Sequence, residues 1–73
     1  GVDARVELDE IAASVDPRLT SEEDEIDTIG GLAFLLAGRL LQPGESVSHP
    51  SGWRIECVEA DARRMIRLRL HAP

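Results

Sequence analysis

Val2, Ala4, Val6 and Leu8 alternate with Asp3, Arg5 and Glu7 at the start of the chain, and this period of two predicts a half-buried strand. From Leu8 the spacing changes to Leu8, Ile11, Ala12 and Val15. That is a helical stripe, with Asp9 and Glu10 in the first turn where the helix dipole favours negative charge, and Pro17 stops it. Residues Asp16 to Asp27 are polar, dense in acids and without sustained period, which predicts a loop. Thr28 is a good N-cap for an apolar helix running from Ile29 to Leu41. Its apolar residues fall on almost all sides, so burial on more than one face is expected, with Arg39 in the last turn matching the dipole. Gly30 and Gly31 weaken such a helix by about 1 kcal/mol each relative to alanine, which predicts a close approach of something to the backbone there.

Pro43-Gly44 forms a turn, and beyond it the pattern is that of strands. Ser46 to His49, Trp53 to Glu59 and Arg64 to His71 are separated by turns at Pro50-Ser51-Gly52 and Ala60 to Ala62, which predicts a three-stranded meander. In the last strand Ile66, Leu68 and Leu70 are expected to face the core and Arg67, Arg69 and His71 the other side. In its neighbour, Trp53, Ile55 and Cys57 share one face and Arg54 and Glu56 the other, so Glu56 is placed to pair with Arg67 or Arg69. The elements together predict an α+β fold, a mainly antiparallel sheet of about four strands with two helices packed on it.

The 73 residues and 8.0 kDa allow one domain, residues 1–73, with a thin core. One cysteine excludes an internal disulfide and a cysteine-built zinc site. Two histidines, one Trp, one Phe and no Tyr leave little material for acid–base chemistry or base stacking, so a binding or regulatory module is favoured over an enzyme. The net charge of −6 repels nucleic acid. It is unevenly distributed: residues 1–37 hold ten acids and two arginines, whereas residues 38–73 hold four acids and six arginines. The chain opens Gly1-Val2-Asp3 without an initiator Met and reads as a segment excised from a longer protein. Its longest apolar stretch, Ile29 to Gly38, falls short of the roughly 20 residues a membrane span needs.

Candidate chemistry is sparse. Glu22, Glu23, Asp24 and Asp27, with Glu25 among them, offer carboxylate oxygens to a hard cation such as Mg2+ or Ca2+. Their spacing lacks the EF-hand pattern, and the same acids also complement the dipole of the following helix. Thr28, Gly30 and Gly31 stand where a phosphate can be cradled, although neighbouring carboxylates oppose an anion and close packing is the better reading. His49 and His71 have no evident serine or cysteine partner. Cys57 alternates with core positions as a small hydrophobe. Trp53 is a core anchor or, with Arg67 and Arg69, part of a homodimer interface, and Arg63 and Arg64 add to a basic face.

The order of these segments resembles the CorC/HlyC transporter-associated domain of hemolysin-like and magnesium/cobalt efflux proteins. The resemblance is carried by Val2-Asp3-Ala4-Arg5 leading to Leu8-Asp9-Glu10-Ile11, by Glu22-Glu23-Asp24, and by Asp27-Thr28-Ile29-Gly30-Gly31-Leu32. Leu40-Leu41-Gln42-Pro43-Gly44-Glu45, Trp53 to Asp61 and Arg64 to Leu70 complete it. One departure is Ala4, where the family often has Gly. The resemblance implies a fold similar to a FAD-binding (PCMH-type) half-domain, placed after transmembrane and CBS domains on the cytoplasmic side of a membrane. It implies a non-catalytic regulatory role in ion transport and supplies no catalytic or cofactor residues. The alternative is a small-ligand domain for FAD or an adenine nucleotide, for which a stacking aromatic and a basic phosphate clamp near Gly30 are not expected.

Overall fold

The computed structural model describes every residue from Gly1 to Pro73. The elements are β1 (Val2–Asp3), α1 (Leu8–Ser14), α2 (Ile29–Ala37), β2 (Ser46–Ser48), β3 (Arg54–Ala60) and β4 (Met65–His71). The four strands form one antiparallel sheet in the order β1-β4-β3-β2. A single apolar cluster joins Leu8 and Ile11 of α1, Ile29, Leu32 and Ala33 of α2, Ile55 and Cys57 of β3, and Met65 and Leu68 of β4. Both helices therefore cover the same face of the sheet, and the expected α+β arrangement is present.

The first strand is shorter than its alternation predicts. Only Val2 and Asp3 pair with β4, opposite Leu68 and Arg67. The Asp3 carboxylate then accepts the Arg5 N–H at 2.8 Å and the Asp3 carbonyl accepts the Val6 N–H at 3.1 Å, which turns the chain off the sheet. Ala4 bridges both sides, its N–H donating to Ile66 of β4 at 2.9 Å while its carbonyl accepts the Gly30 N–H, and from there the chain pairs with the approach to α2: Leu8 N–H donates to Asp27 and Ile29 N–H to Val6, at 2.8 to 2.9 Å. One alternating segment thus serves two partners, which keeps its apolar side inward throughout.

In α1 the buried residues are Leu8 and Ile11, whereas Val15 caps the helix and stays exposed. The start of α2 is as the sequence predicts, with Thr28 Oγ1 accepting the Gly31 N–H at 3.0 Å. Its end is not. Gly38 takes φ +74° and its N–H donates to the Phe34 carbonyl, a left-handed cap that stops the helix at Ala37 rather than Leu41. Arg39 consequently lies outside the helix and matches no dipole. Its guanidinium instead donates two bonds of 2.8 Å to the Glu45 carboxylate, which also accepts the Gln42 N–H and so closes the connection to β2. Nor is α2 buried all round, since Phe34 and Leu35 remain 48% and 43% exposed.

The meander of β2, β3 and β4 follows the sequence except in one detail. Register shifts between Cys57 and Ala60 change which residues face inward, so Met65 is buried and Ile66 only partly so. The predicted alternation of Ile66, Leu68 and Leu70 therefore holds only beyond the irregularity.

Glu45 supplies a test in acid. Bonds from the Arg39 guanidinium, then from the Gln42 N–H, hold its carboxyl at about 2, down from the ordinary 4.5. Because the folded value lies below the unfolded one, this contribution is complete above pH 4.5 and is lost as pH falls toward 2. Glu45→Gln is expected to make the melting temperature less dependent on pH over that window. Parallel acid limbs for the two proteins would remove Glu45 from the account.

Candidate functional site

The segment between α1 and α2 lacks regular structure, as expected, yet it is firmly anchored. Leu19 is completely buried. The indole Nε1–H of Trp53 donates to Asp16 Oδ2 at 2.9 Å, and the Arg18 guanidinium donates to the same carboxylate at 2.8 Å. Arg18, through its side chain and then its N–H, holds the Asp16 carboxyl far below the usual carboxylate range, with Trp53 adding to the effect. A third tie comes from His49 on the β2–β3 turn. The Ser51 N–H points at Nδ1, at 3.1 Å, so Nδ1 accepts; Nε2 carries the proton and donates to the Thr20 carbonyl at 2.8 Å. The serine partner that the sequence does not reveal is thus Ser51, whose Oγ lies 2.7 Å from Nδ1. With a backbone carbonyl rather than a carboxylate behind the ring, and the ring itself buried, the pair fastens loop to turn.

These ties leave a groove of about 660 Å3 between the loop, α2 and the β2–β3 turn. Leu32, Leu35 and Leu36 form its apolar side, Glu22 and Glu23 one rim, and His49 to Ser51 the other. The acids proposed for a cation do not gather. Glu22, Glu23, Asp24 and Asp27 are all exposed, and no three His, Cys, Asp or Glu side chains anywhere in the structure are grouped to hold a metal ion. Asp16 is the one loop carboxylate in an ion pair; Glu22, Glu23, Asp24, Glu25 and Asp27 have none.

A smaller cavity of about 230 Å3 lies on the other side of α2, beside Gly30 and Gly31. Contrary to the sequence expectation, an aromatic residue and two cations are present there: Phe34, Arg5 and Arg64 all line it. Two observations speak against a nucleotide. The cavity is below the roughly 300 Å3 at which small-molecule sites begin. The N–H groups at the helix start are also occupied, Ile29 by Val6, Gly30 by Ala4, and Gly31 and Leu32 by Thr28, so none is left for a phosphate. The glycine serves contact instead, since a Cβ on Gly30 would stand 2.7 Å from the Ala4 carbonyl oxygen.

A family model, the CorC_HlyC transporter associated domain, matches residues 1–73. The chain belongs to this family. Two solved structures share its fold. A crystal structure of a CorC_HlyC domain from Haemophilus ducreyi superposes with a TM-score of 0.79 at 14% identity, over 96% of this chain and 90% of that one. The transporter associated domain of a CBS domain protein from Porphyromonas gingivalis gives 0.74 at 22% identity, over 93% and 80%. No curated protein matches the chain.

In this transporter-associated domain the three residues expected at an interface do not share a surface. Trp53 packs against the core cluster on the helix-covered side, whereas Arg67 and Arg69 flank buried Leu68 and point out of the open face of the sheet. On that open face Arg69 lies 3.9 Å from Glu56, its register partner, and His71 Nε2 is 2.7 Å from the same carboxylate. The hydrogen bond from His71, and then the charge of Arg69, lower the Glu56 carboxyl below its ordinary range against the opposing effect of burial. Cys57 is fully buried, and burial pushes its thiol up, the opposite of what a nucleophile needs. No helix of the domain is long and apolar enough to cross a membrane. The exposed apolar surface that the sequence did not reveal is that of Phe34 and Leu35; a helix apolar on all sides reads as buried, and nothing local says which side is left open.

Proposed function

We propose that this transporter-associated domain is a non-catalytic regulatory and interaction module of a larger membrane protein that moves ions, of the hemolysin-like or magnesium/cobalt efflux kind, and that it works on the cytoplasmic side. The observation that carries the reading is the exposed ridge of Phe34 and Leu35 on α2, 48% and 43% accessible, beside the acid-rimmed groove. Covering apolar surface yields about 25 cal/mol per Å2, so a partner that fits this ridge has a driving force for contact. The kinship with a domain from a CBS domain protein supports a place next to CBS domains in the parent chain. The mechanism is a population shift: a neighbour that touches the ridge in one arrangement of the parent and not in another biases the transporter toward the first.

Deleting residues 1–73 from the parent and following ion flux in vesicles tests this. Transport is expected to persist with altered regulation. Flux and regulation that match the intact protein at every ion concentration overturn the proposal.

A further inference from the structure

We infer that the groove between α2 and the Asp16–Asp27 loop is a docking site for a basic amphipathic helix. The inference rests on the interaction-module reading and names the chemistry of the partner. Two features of the groove select it. The apolar side comes from one helix, from exposed Leu35 and half-buried Leu36, with the core residue Leu32 one turn before them. An apolar helix face set between polar rims is matched by the i, i+3, i+4 face of a second helix. The charge on the rim then fixes which helix. Glu22 and Glu23 line it, Asp24 and Glu25 follow them in the chain, and none of the four has an ion-pair partner. Arg18 is the one cation in the lining, and it is already held by Asp16.

The same carboxylates do not converge on a point. A metal ion needs its oxygens gathered about one centre, and they are not. Lysines or arginines on a docked helix need no such centre, only unpaired carboxylates at the rim, and Glu22 and Glu23 are two of these. The groove is also preorganised, because buried Leu19, the Trp53–Asp16 bond and the His49–Thr20 bond fix the loop before any partner arrives.

The test uses a capped Leu–Lys model peptide of amphipathic helical pattern, its Leu–Glu counterpart, and a scrambled Leu–Lys peptide of the same composition, each titrated into the domain and followed by amide shifts. The Leu–Lys helix is expected to give saturable shifts at Glu22, Glu23, Leu35, Leu36 and Ser51, with affinity falling as salt rises. Leu35→Lys is expected to weaken it at least tenfold, roughly what the loss of one buried apolar contact and a new like charge produce. Leu35 is largely exposed, so the variant folds; a dispersed amide spectrum checks this, and Leu35→Ala is the milder substitute. The double change Glu22→Lys with Glu23→Lys is expected to exchange the preference toward the Leu–Glu peptide. No saturable binding, equal binding of the scrambled peptide, shifts confined to the open face of the sheet, or indifference to both sets of variants would each overturn the docking site. A deletion that alters flux while the peptide fails to bind removes this site and leaves the regulatory role standing.

Discussion

Gly30→Ala is expected to destabilise the domain by about 1–3 kcal/mol, the usual range for forcing an atom into a filled space, even though alanine is the better helix former by about 1 kcal/mol. The new Cβ would meet the Ala4 carbonyl oxygen at 2.7 Å and the Ala4 Cβ at 2.9 Å. That oxygen is backbone and accepts the Gly30 N–H, so it cannot move aside without breaking the bond that joins α2 to the first strand region. The neighbouring Gly31→Ala is the internal control. Its Cβ would meet Thr28 Oγ1 at 3.2 Å and Ile26 Cγ2 at 3.5 Å, both side-chain atoms with room to yield, so the gain in helix propensity and the strain on the cap nearly cancel. Thermal melts of the two variants decide the matter, since 1 kcal/mol moves the midpoint of a domain this size by about 4–8 °C. Equal midpoints for the two would mean that Ala4 retreats and that the close approach is not a constraint.

Leu19→Ala is expected to cost about 2–5 kcal/mol, as for other large-to-small changes at fully buried positions. At about 0.05–0.15 kcal/mol per residue a domain of this size has a total stability of only about 4–11 kcal/mol. The variant should therefore melt far below the parent and lose amide protection first between Asp16 and Asp27. A loss under about 0.5 kcal/mol by urea titration would show that the loop is held by the Trp53 and His49 bonds alone.

Leu19 also shows where sequence legibility ends. A lone leucine among Pro17, Arg18, Thr20 and Ser21 has no periodicity, so nothing local marks it as core. The Thr28 cap, the turns at Pro43-Gly44 and Pro50-Ser51-Gly52 and the meander were legible because each rests on chemistry within a few residues. The end of α2 was legible in principle: Gly38 followed by Arg39 is a stop signal, outweighed by the apolar Leu40 and Leu41 beyond it. Leu41 is buried as an apolar residue should be, but from the connection rather than from the helix. The register shift at Cys57 to Ala60 had no sequence mark at all, because it depends on how two strands meet. Of the candidate surfaces, the acidic run was visible and its partner groove was not, since Leu35 and Glu22 become neighbours only through the fold. The separation of Trp53 from Arg67 and Arg69 was legible from parity, because Trp53 shares the phase of Ile55 and Cys57 while both arginines flank Leu68.

The two outermost strands have a consequence for association. On one margin the sheet ends in the two residues of β1, and on the other in the three of β2, Ser46–Ser48, two of them serine. A margin that short presents almost no free ladder of N–H and C=O groups to an incoming chain, so it is a poor template for strand addition or for edge-to-edge aggregation. Copies brought close together can stay separate, and recognition is left to side chains, whose identity can be tuned one residue at a time.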